Sequence, residues 1–285
     1  MASKSAEPAD RPSATAASDQ PAAGCTALQL PAGARVLLAS DMHLGEHDAP
    51  TAQWFCQCLA AQSAGCTHLI LLGDLFEAWT GDDQNDPVAG QLLSLLQTLR
   101  ARLSISVMRG NRDFLLDLPI PGQTGHASFS EQYSITMLAD PCLLSLGEQR
   151  WLLSHGDMFC TDDVAYQAFR QQSRQRQWTD AFLGQTLAER TALAARMREQ
   201  SNAEKANKAE NLTDVNEAAA LAGLRAWGVT ELIHGHTHRP AHHESQHEGT
   251  TYRRHVLPDW DAASGRGGFM QLSAGGLIDI PAQQT

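Results

Sequence analysis

Residues 35–43 read RVLLASDMH and give the first indication of the fold. The apolar run 35–40 stops abruptly before the polar residues Asp41 and His43. A short apolar run that ends in polar residues predicts a buried strand feeding a loop. The same design returns at 68–74 (HLILLGD) and at 104–111 (SISVMRGN). The second and third runs end in a glycine followed by a polar residue, and all three runs predict strands that end at a polar loop.

Helical segments separate these three strands. Residues 51–63 and 88–102 have helical patterns, and Pro87 fits the first position of the second helix. Strands that alternate with helices predict an α/β fold with a largely parallel sheet.

The rest of the chain changes character twice. Further strands are predicted at 134–139, 142–146, 150–154, 231–233, 252–257 and 269–272. Between them, residues 162–227 contain polar helical segments and no strand pattern. We therefore expect one domain over 31–285 with a helical insertion at 162–227. Residues 1–30, rich in Ala, Ser, Pro and Asp, are predicted to be a disordered tail.

Composition excludes several classes of protein. The net charge of −11 argues against binding a nucleic-acid backbone, which requires dense Lys and Arg. We find neither a secretory signal nor an apolar run long enough to span a membrane. Six cysteines without a CxxC pair are typical of thiols in a reducing compartment. A cytoplasmic location is therefore expected.

Candidate metal ligands follow the predicted strands. They are Asp41, His43, Asp74, Asn111, His155, Asp157, His236 and His238. A lone Asp after a strand is usually a turn former, and a lone His is usually a surface group. Five strand ends that all carry such residues predict a shared site, because loops converge at the carboxyl ends of parallel strands.

The types of ligand constrain the chemistry. Carboxylate, amide and imidazole groups without a thiolate suit Mn²⁺, Fe²⁺ or Zn²⁺ rather than Ca²⁺. Asp74 is the natural bridge, since a carboxylate can share its oxygens between two cations. Two such cations clamp a phosphoryl group and activate a water. The pattern thus predicts hydrolysis of a phosphate ester.

The motifs D-x-H, GD, GN, H-G-D and GHTH, spread over 36–274, resemble those of the calcineurin-like metallophosphoesterases. The resemblance implies a two-sheet β-sandwich flanked by helices. It also implies two metal sites that share Asp74. One would use Asp41, His43, Asp74 and His238, and the other would use Asp74, Asn111, His155 and His236.

Arg112 points to the type of phosphoester. Many relatives have a His after the Asn, where it can protonate an alkoxide leaving group, whereas this chain has Arg112. An arginine is a poor proton donor but suits the charge of a second phosphate, so a phosphoanhydride substrate is expected. The alternative is a surface Arg112 paired with Asp113.

The helical insertion has its own composition. Residues 164–208 carry eight Lys or Arg against four Asp or Glu, with apolar residues interleaved. This pattern predicts a cap that holds an acyl chain and docks on an anionic membrane surface. A solvated helical hairpin packed on the sandwich is an equal alternative. Trp79, close to Asp74, could be either core packing or a wall of the substrate cleft.

The motifs DMHLG, GDLFEAWTGDD, GNRDFL and HGHTHRP resemble one branch of the family, which hydrolyses UDP-2,3-diacylglucosamine in bacterial lipid A synthesis. The resemblance implies a Mn²⁺-dependent, monomeric enzyme at the inner membrane that releases UMP and 2,3-diacylglucosamine 1-phosphate. The predicted catalytic residues are Asn111, Arg112 and His155. The predicted substrate contacts are Trp79, Asn111, Arg112, Asp163, Tyr166, Arg198, Ser201, Lys205, Lys208 and His236. The rivals are a general phosphodiesterase or protein phosphatase, and a non-enzymatic interaction module.

Overall fold

The structure is a computed structural model that describes residues 24–125, 127–205 and 213–283. Its strands are β1 (Cys25–Leu30), β2 (Val36–Ala39), β3 (His68–Leu72), β4 (Ser104–Met108), β5 (Thr136–Leu146), β6 (Gln149–Leu153), β7 (Glu231–His234), β8 (Ala241–His247), β9 (Thr250–Val256), β10 (Gly268–Ser273) and β11 (Gly276–Pro281). Its helices are α1 (Ala49–Gln62), α2 (Pro87–Leu99), α3 (Phe129–Tyr133), α4 (Val164–Ser173), α5 (Arg176–Leu183), α6 (Leu187–Lys205) and α7 (Glu217–Trp227). Strands and helices alternate through β4, as the sequence predicts.

The strands form one hydrogen-bonded sheet in the order β11-β10-β2-β3-β4-β5-β6-β7-β9-β8, with β1 added to β5. Strands β2 to β5 run parallel, and so do β6, β7 and β9. Strand β5 connects the two groups, because residues 136–138 pair with β4 and residues 142–146 pair with β6. The α/β class is confirmed, but the two expected sheets are one sheet that curls through β5.

Apolar clusters cover both faces of the sheet. Leu37 and Ala39 of β2 face the helices α1 and α2, whereas Val36 and Leu38 face an inner core shared with β6 and β10. Alternate residues of a strand point to opposite faces, so these apolar strands are covered on both sides. A third cluster lies between α7 and the strands β6 and β7. The layers are therefore helix, strand, strand and helix.

Local sequence signals mark the first residues of helices α1 and α2. The Asp48 side chain accepts a hydrogen bond from the Thr51 amide at the start of α1, and Asp86 accepts from Val88 and Ala89 at the start of α2. Pro87 occupies the first turn of α2, as predicted.

Three expectations on chain organisation need correction. Residues 25–30 form β1, paired in parallel with β5, so the tail predicted over 1–30 includes an ordered strand. Helix α7 packs on the body through Ala220 and Leu224, so it does not belong to the insertion predicted over 162–227. Strands β8 and β11 are absent from the strands predicted from the sequence.

Helices α4, α5 and α6 form the cap. Phe182 and Leu183 of α5 join the core between the sheet and α1–α2, while Trp178 and Leu193 pack at its margin. Within the described ranges, no helix combines the length and apolar character needed to cross a membrane. The six cysteines all fall in the described part and are unpaired thiols.

Candidate metal centre and substrate cavity

The strand ends bring the seven predicted metal ligands together. Asp41 follows β2, Asp74 follows β3, Asn111 follows β4, His155 follows β6, and the histidines 236 and 238 follow β7. Two clusters result, one of Asp41, His43 and His238 and one of Asp74, His155 and His236. Within each cluster the ligand atoms lie within 4.8 Å of one another.

The first cluster places three donor atoms around one point. His43 Nε2 and His238 Nε2 are 3.1 Å apart, and His238 Nε2 is 3.5 Å from Asp41 Oδ1. Asp41 Oδ1 is buried and makes no hydrogen bond to any residue that the structure describes, whereas Asp41 Oδ2 accepts from Ser40 Oγ and the His236 amide. Two imidazole nitrogens and an unpartnered carboxylate oxygen that face one another form a donor set that fits a divalent cation.

Asp74 lies between the two clusters. Its Oδ2 is 3.8 Å from His43 Nε2, and its Oδ1 is 3.6 Å from His155 Nε2. Asn111 completes the second cluster, since its Oδ1 is 3.1 Å from His155 Nε2. One carboxylate that faces both groups has the geometry of a bridging ligand.

The backbone of the site is unusual. Five of the eight non-glycine residues with positive φ in the described ranges are Asp41, His43, Asp74, His236 and His238. Such conformations are sparsely populated and concentrate at functional sites. The sequence gives no direct sign of them.

Gly110 permits the close approach of two ligand loops. A Cβ at this position would lie 2.1 Å from Asp74 Oδ1 and 2.4 Å from the Asp74 amide nitrogen. Because a side chain would displace the Asp74 carboxylate from its place between the two clusters, the glycine before Asn111 is a requirement of the site.

Burial and charge set the protonation of these groups. Burial lowers the pKa of His43 to about 4 and that of His236 to about 3. Burial acts in the same direction on His155, but the carboxylates of Asp74 and Asp41 outweigh it and raise its pKa to about 9. Burial would raise the pKa of Asp41, yet the nearby imidazoles of His238, His155 and His43 outweigh it and hold that pKa well below its usual range.

Hydrogen bonds fix the orientation of two histidines. His155 Nδ1 donates to the Leu72 carbonyl at 2.9 Å, which leaves Nε2 facing the cluster. His238 Nδ1 lies 3.3 Å from Asp259, and Arg266 holds that carboxylate through two hydrogen bonds. Such partners orient histidine ligands in metal sites. Sequence reasoning missed Asp259, which is distant in sequence from every ligand motif.

Asp113 does not pair with Arg112, so that alternative is wrong. The buried Asp113 carboxylate accepts hydrogen bonds from the backbone amides of Asp74, Leu75 and Gly110 at 3.3, 2.7 and 2.7 Å. Asp113 therefore fastens the Asn111 loop to the Asp74 loop. In the part of the chain that the structure describes, the Arg112 guanidinium has no hydrogen bond or ion pair, and it lines the substrate cavity.

A cavity of about 550 Å³ opens from the clusters toward the cap. Its polar end carries Asn111, Arg112, His236 and His238. Its other walls are largely apolar and include Phe114, Leu115, Phe169, Trp178, Phe182 and Met197. A site with one polar end and one apolar end fits an amphipathic ligand.

The predicted substrate contacts are distributed along this cavity. Trp79, Asp163, Tyr166, Arg198 and Ser201 line it, together with Asn111, Arg112 and His236. Trp79 is both a wall and a core residue, because it is buried and stacks on Phe76 at 4.6 Å. The backbone of Lys205 ends α6 while its side chain, like the whole of Lys208, lies outside the described residues.

Asp157 connects the second cluster to α4. Its buried carboxylate accepts from the Tyr166 hydroxyl and from Arg170 Nε, and Arg174 lies 3.7 Å away. The Tyr166 ring stacks at 6.0 Å from His236. Burial would raise the pKa of Asp157, but Arg170 and the neighbouring cations hold it well below its usual range. The sequence flagged Asp157 as a candidate metal ligand, whereas the structure gives it contacts to the cap.

The cap arginines mostly face the body. Arg190 donates to the Thr80 carbonyl and pairs with Asp83, and Arg198 pairs with Glu77. Arg170 and Arg174 approach Asp157. Four of the eight predicted cations thus join the cap to the body, which matches a packed hairpin better than a free basic face.

Comparisons with known proteins find one family and several relatives to which this chain is similar. The family described as calcineurin-like phosphoesterase matches residues 34–240. The chain is 43% identical to UDP-2,3-diacylglucosamine hydrolase of Chromobacterium violaceum, covering 85% of this chain and 96% of the relative. It is 38% identical to the protein of the same name from Stenotrophomonas maltophilia, covering 84% and 95%. Among solved structures, Vacuolar Protein Sorting 29 from Cryptosporidium parvum aligns with a TM-score of 0.40 and 12% identity over 87% of this chain and 86% of that chain.

Proposed function

The chain belongs to the calcineurin-like phosphoesterase family, and on that premise we propose that it hydrolyses the diphosphate of UDP-2,3-diacylglucosamine. One observation carries the proposal: residues of both ligand clusters line a single cavity whose other walls are largely apolar. A substrate with a diphosphate and acyl chains has the matching distribution of charge and apolar surface. The names of the two curated relatives support the same substrate.

The residues have distinct roles in this proposal. Asp41, His43, Asp74 and His238 hold one divalent cation, and Asp74, Asn111, His155 and His236 hold the second. We favour Mn²⁺ for both. When bound, the two cations supply Lewis acidity to the phosphoryl oxygens and lower the pKa of the attacking water.

Other side chains bind the substrate. The Arg112 guanidinium, which has no ion-pair partner among the described residues and lines the cavity beside the ligand clusters, binds the diphosphate oxygens. Tyr166, Asp163, Arg198 and Ser201 contact the sugar and phosphate groups. The aromatic wall of the cap surrounds the acyl chains. Attack of water at the α-phosphorus breaks its bond to the bridging oxygen and releases UMP and 2,3-diacylglucosamine 1-phosphate.

The location follows from the substrate. A lipid substrate resides in a membrane, so the protein binds the inner membrane peripherally from the cytoplasm. Val164, at the first turn of α4, is 74% exposed between the cavity-lining residues Asp163 and Ala165. An exposed valine beside the apolar cavity suits contact with lipid. Each chain carries a complete ligand set, so the monomer is the active unit.

Product identification tests the function. Purified protein with Mn²⁺ is incubated with UDP-2,3-diacylglucosamine or p-nitrophenyl phosphate, and the products are separated by chromatography and mass spectrometry. We expect UMP and the acylated sugar phosphate from the first substrate only, and no product from the Asp74→Asn variant. Turnover of the aryl ester alone would overturn the substrate and leave a general phosphoesterase. If protein shown to hold metal releases no product from either substrate, the proposed enzymatic activity is contradicted.

A further inference from the structure

Glu77 lies beside the first ligand cluster because its backbone is fixed there. Its amide donates to the Leu44 carbonyl at 2.9 Å, and a bridge between Leu44 and Phe76 aligns the two loops. This places Glu77 next to His43, although 34 positions separate them in the sequence.

The Glu77 carboxylate faces two partners. Its Oε2 is 3.4 Å from His43 Nδ1, and its Oε1 pairs with the Arg198 guanidinium. Arg198 also donates to the Glu77 carbonyl. One side chain thus contacts both a residue of the ligand cluster and a cavity-lining residue of α6.

His43 needs such a partner. Its Nδ1 is buried and makes no hydrogen bond within the described residues. An acceptor at Nδ1 fixes the tautomer and orientation of an imidazole that ligates through Nε2. The Glu77 carboxylate is the acceptor that the structure places within reach.

We propose that Glu77 is a positioning residue that orients His43 for metal binding and holds Arg198 of the cap toward the cavity. It couples the position of α6 to the occupancy of the ligand cluster. This inference rests on the proposed function for its substrate part, whereas its metal part stands independently.

Metal affinity tests the first half without any turnover. Calorimetric titration with Mn²⁺ compares the wild type with Glu77→Gln and Glu77→Asp. We expect Glu77→Gln to weaken binding about 10- to 100-fold, as loss of a ligand-orienting partner does, and Glu77→Asp to restore part of that loss. The matched control is Asp180→Asn, which breaks the exposed Arg176–Asp180 pair of α5 and should leave affinity unchanged. Equal affinity of wild type and Glu77→Gln would overturn this half.

A double-mutant cycle tests the second half. Amide hydrogen exchange of α6 is measured with and without Mn²⁺ for wild type, Glu77→Gln, Arg198→Ala and the double variant. We expect Mn²⁺ to protect α6 in wild type and not in the single variants, and the double variant to match them. If the enzyme is active, Arg198→Ala should raise KM by a larger factor than it lowers kcat. The rise in KM should be smaller when Arg198→Ala is made in the Glu77→Gln background. Protection that persists in Glu77→Gln, or additive effects on exchange, would overturn the coupling whether or not UMP release is observed.

Discussion

At the scale of single residues, Asp113 shows how one buried carboxylate joins two loops that carry candidate metal ligands. Its oxygens accept from three backbone amides on two loops, those of Asp74, Leu75 and Gly110. The loops that carry Asp74 and Asn111 therefore stay in register through a side chain that does not itself line the cavity.

Replacing the Asp113 carboxylate should lower both the free energy of unfolding and the affinity for Mn²⁺. In Asp113→Asn one acceptor oxygen becomes a donor facing a buried N–H, so we expect a loss of about 2–4 kcal/mol in the free energy of unfolding. Urea denaturation measures it, and Mn²⁺ titration should show weaker binding because Asp74 shifts. Asp180→Asn, on the exposed face of α5, should change neither quantity. An unchanged unfolding free energy for Asp113→Asn would contradict the assigned hydrogen bonds.

The residues of the ligand clusters could be predicted from sequence, because each follows an apolar run that reads as a strand. Their partners could not. Asp113 adjoins Arg112 in sequence, which indicated an ion pair, but the chain turns so that the carboxylate points to the backbone amides. Asp259 reaches His238 only because β7 and β9 are neighbours in the sheet. Sequence spacing predicts position along the chain and leaves side-chain direction undetermined.

At the scale of elements, the attachment of α6 depends on Arg190 and Gly81. The Arg190 side chain is 1% exposed and its guanidinium donates to the Thr80 carbonyl and pairs with Asp83. Gly81 has φ +141°, and a Cβ there would lie 2.1 Å from Arg190 Nη1. Because three hydrogen bonds hold the guanidinium, it cannot move aside without loss.

A pair of glycine variants tests this attachment. Gly81→Ala should lower the free energy of unfolding by about 1–3 kcal/mol through overpacking and should speed hydrogen exchange in α6. Gly90→Ala is the matched control, because a Cβ at this position of α2 meets no atom within 4 Å. It should raise stability by about 0.5–1 kcal/mol, since alanine favours helix. Equal unfolding free energies for the two variants would show that α6 does not depend on the Arg190 contact.

The elements that sequence reasoning missed share a physical cause. Five consecutive residues of β8 are exposed, so the strand AHHESQH lacks the apolar alternation that predicts strands. Its pairing with β9 comes from the short turn at Glu248 and Gly249. Strand β1 likewise exposes most of its residues and gains order by pairing with β5. Helix α7 looks like part of the insertion in sequence, and only its packing on β6 and β7 assigns it to the body.

At the scale of the whole molecule, the curled sheet brings its two edge strands together. β11 and β8 stand at opposite ends of the strand order, yet His242 Nε2 and Asp279 Oδ2 are 2.7 Å apart. His242 also contacts His255 of β9 through their Nδ1 atoms, at 2.7 Å. Local patterns predicted the strands of the inner core, but this closure is a property of the complete sheet and could not be predicted from any one of them.

The distribution of charge over the molecule bears on the proposed contact with a membrane. The chain carries a net charge of −11, and four cap arginines are engaged with the body. Because these arginines are already engaged and the chain is acidic overall, we expect electrostatic attraction to anionic lipid to be weak. Val164 and Ile278 are the exposed large apolar side chains of the described residues, and Val164 adjoins the cavity.

Vesicle binding should therefore depend on Val164 and little on salt. Val164→Glu removes the apolar contact, and we expect sedimentation with vesicles that contain the lipid substrate to weaken about tenfold, as loss of a partly buried valine implies. Ile278→Glu introduces the same charge at the other exposed apolar residue, on β11 away from the cavity, and should bind like wild type. Raising the salt from low to physiological concentration should leave binding nearly constant. A steep fall of vesicle binding with salt, or equal losses of binding for the two variants, would contradict this. The membrane contact would then be assigned to the cationic residues of the cap, as the sequence first indicated.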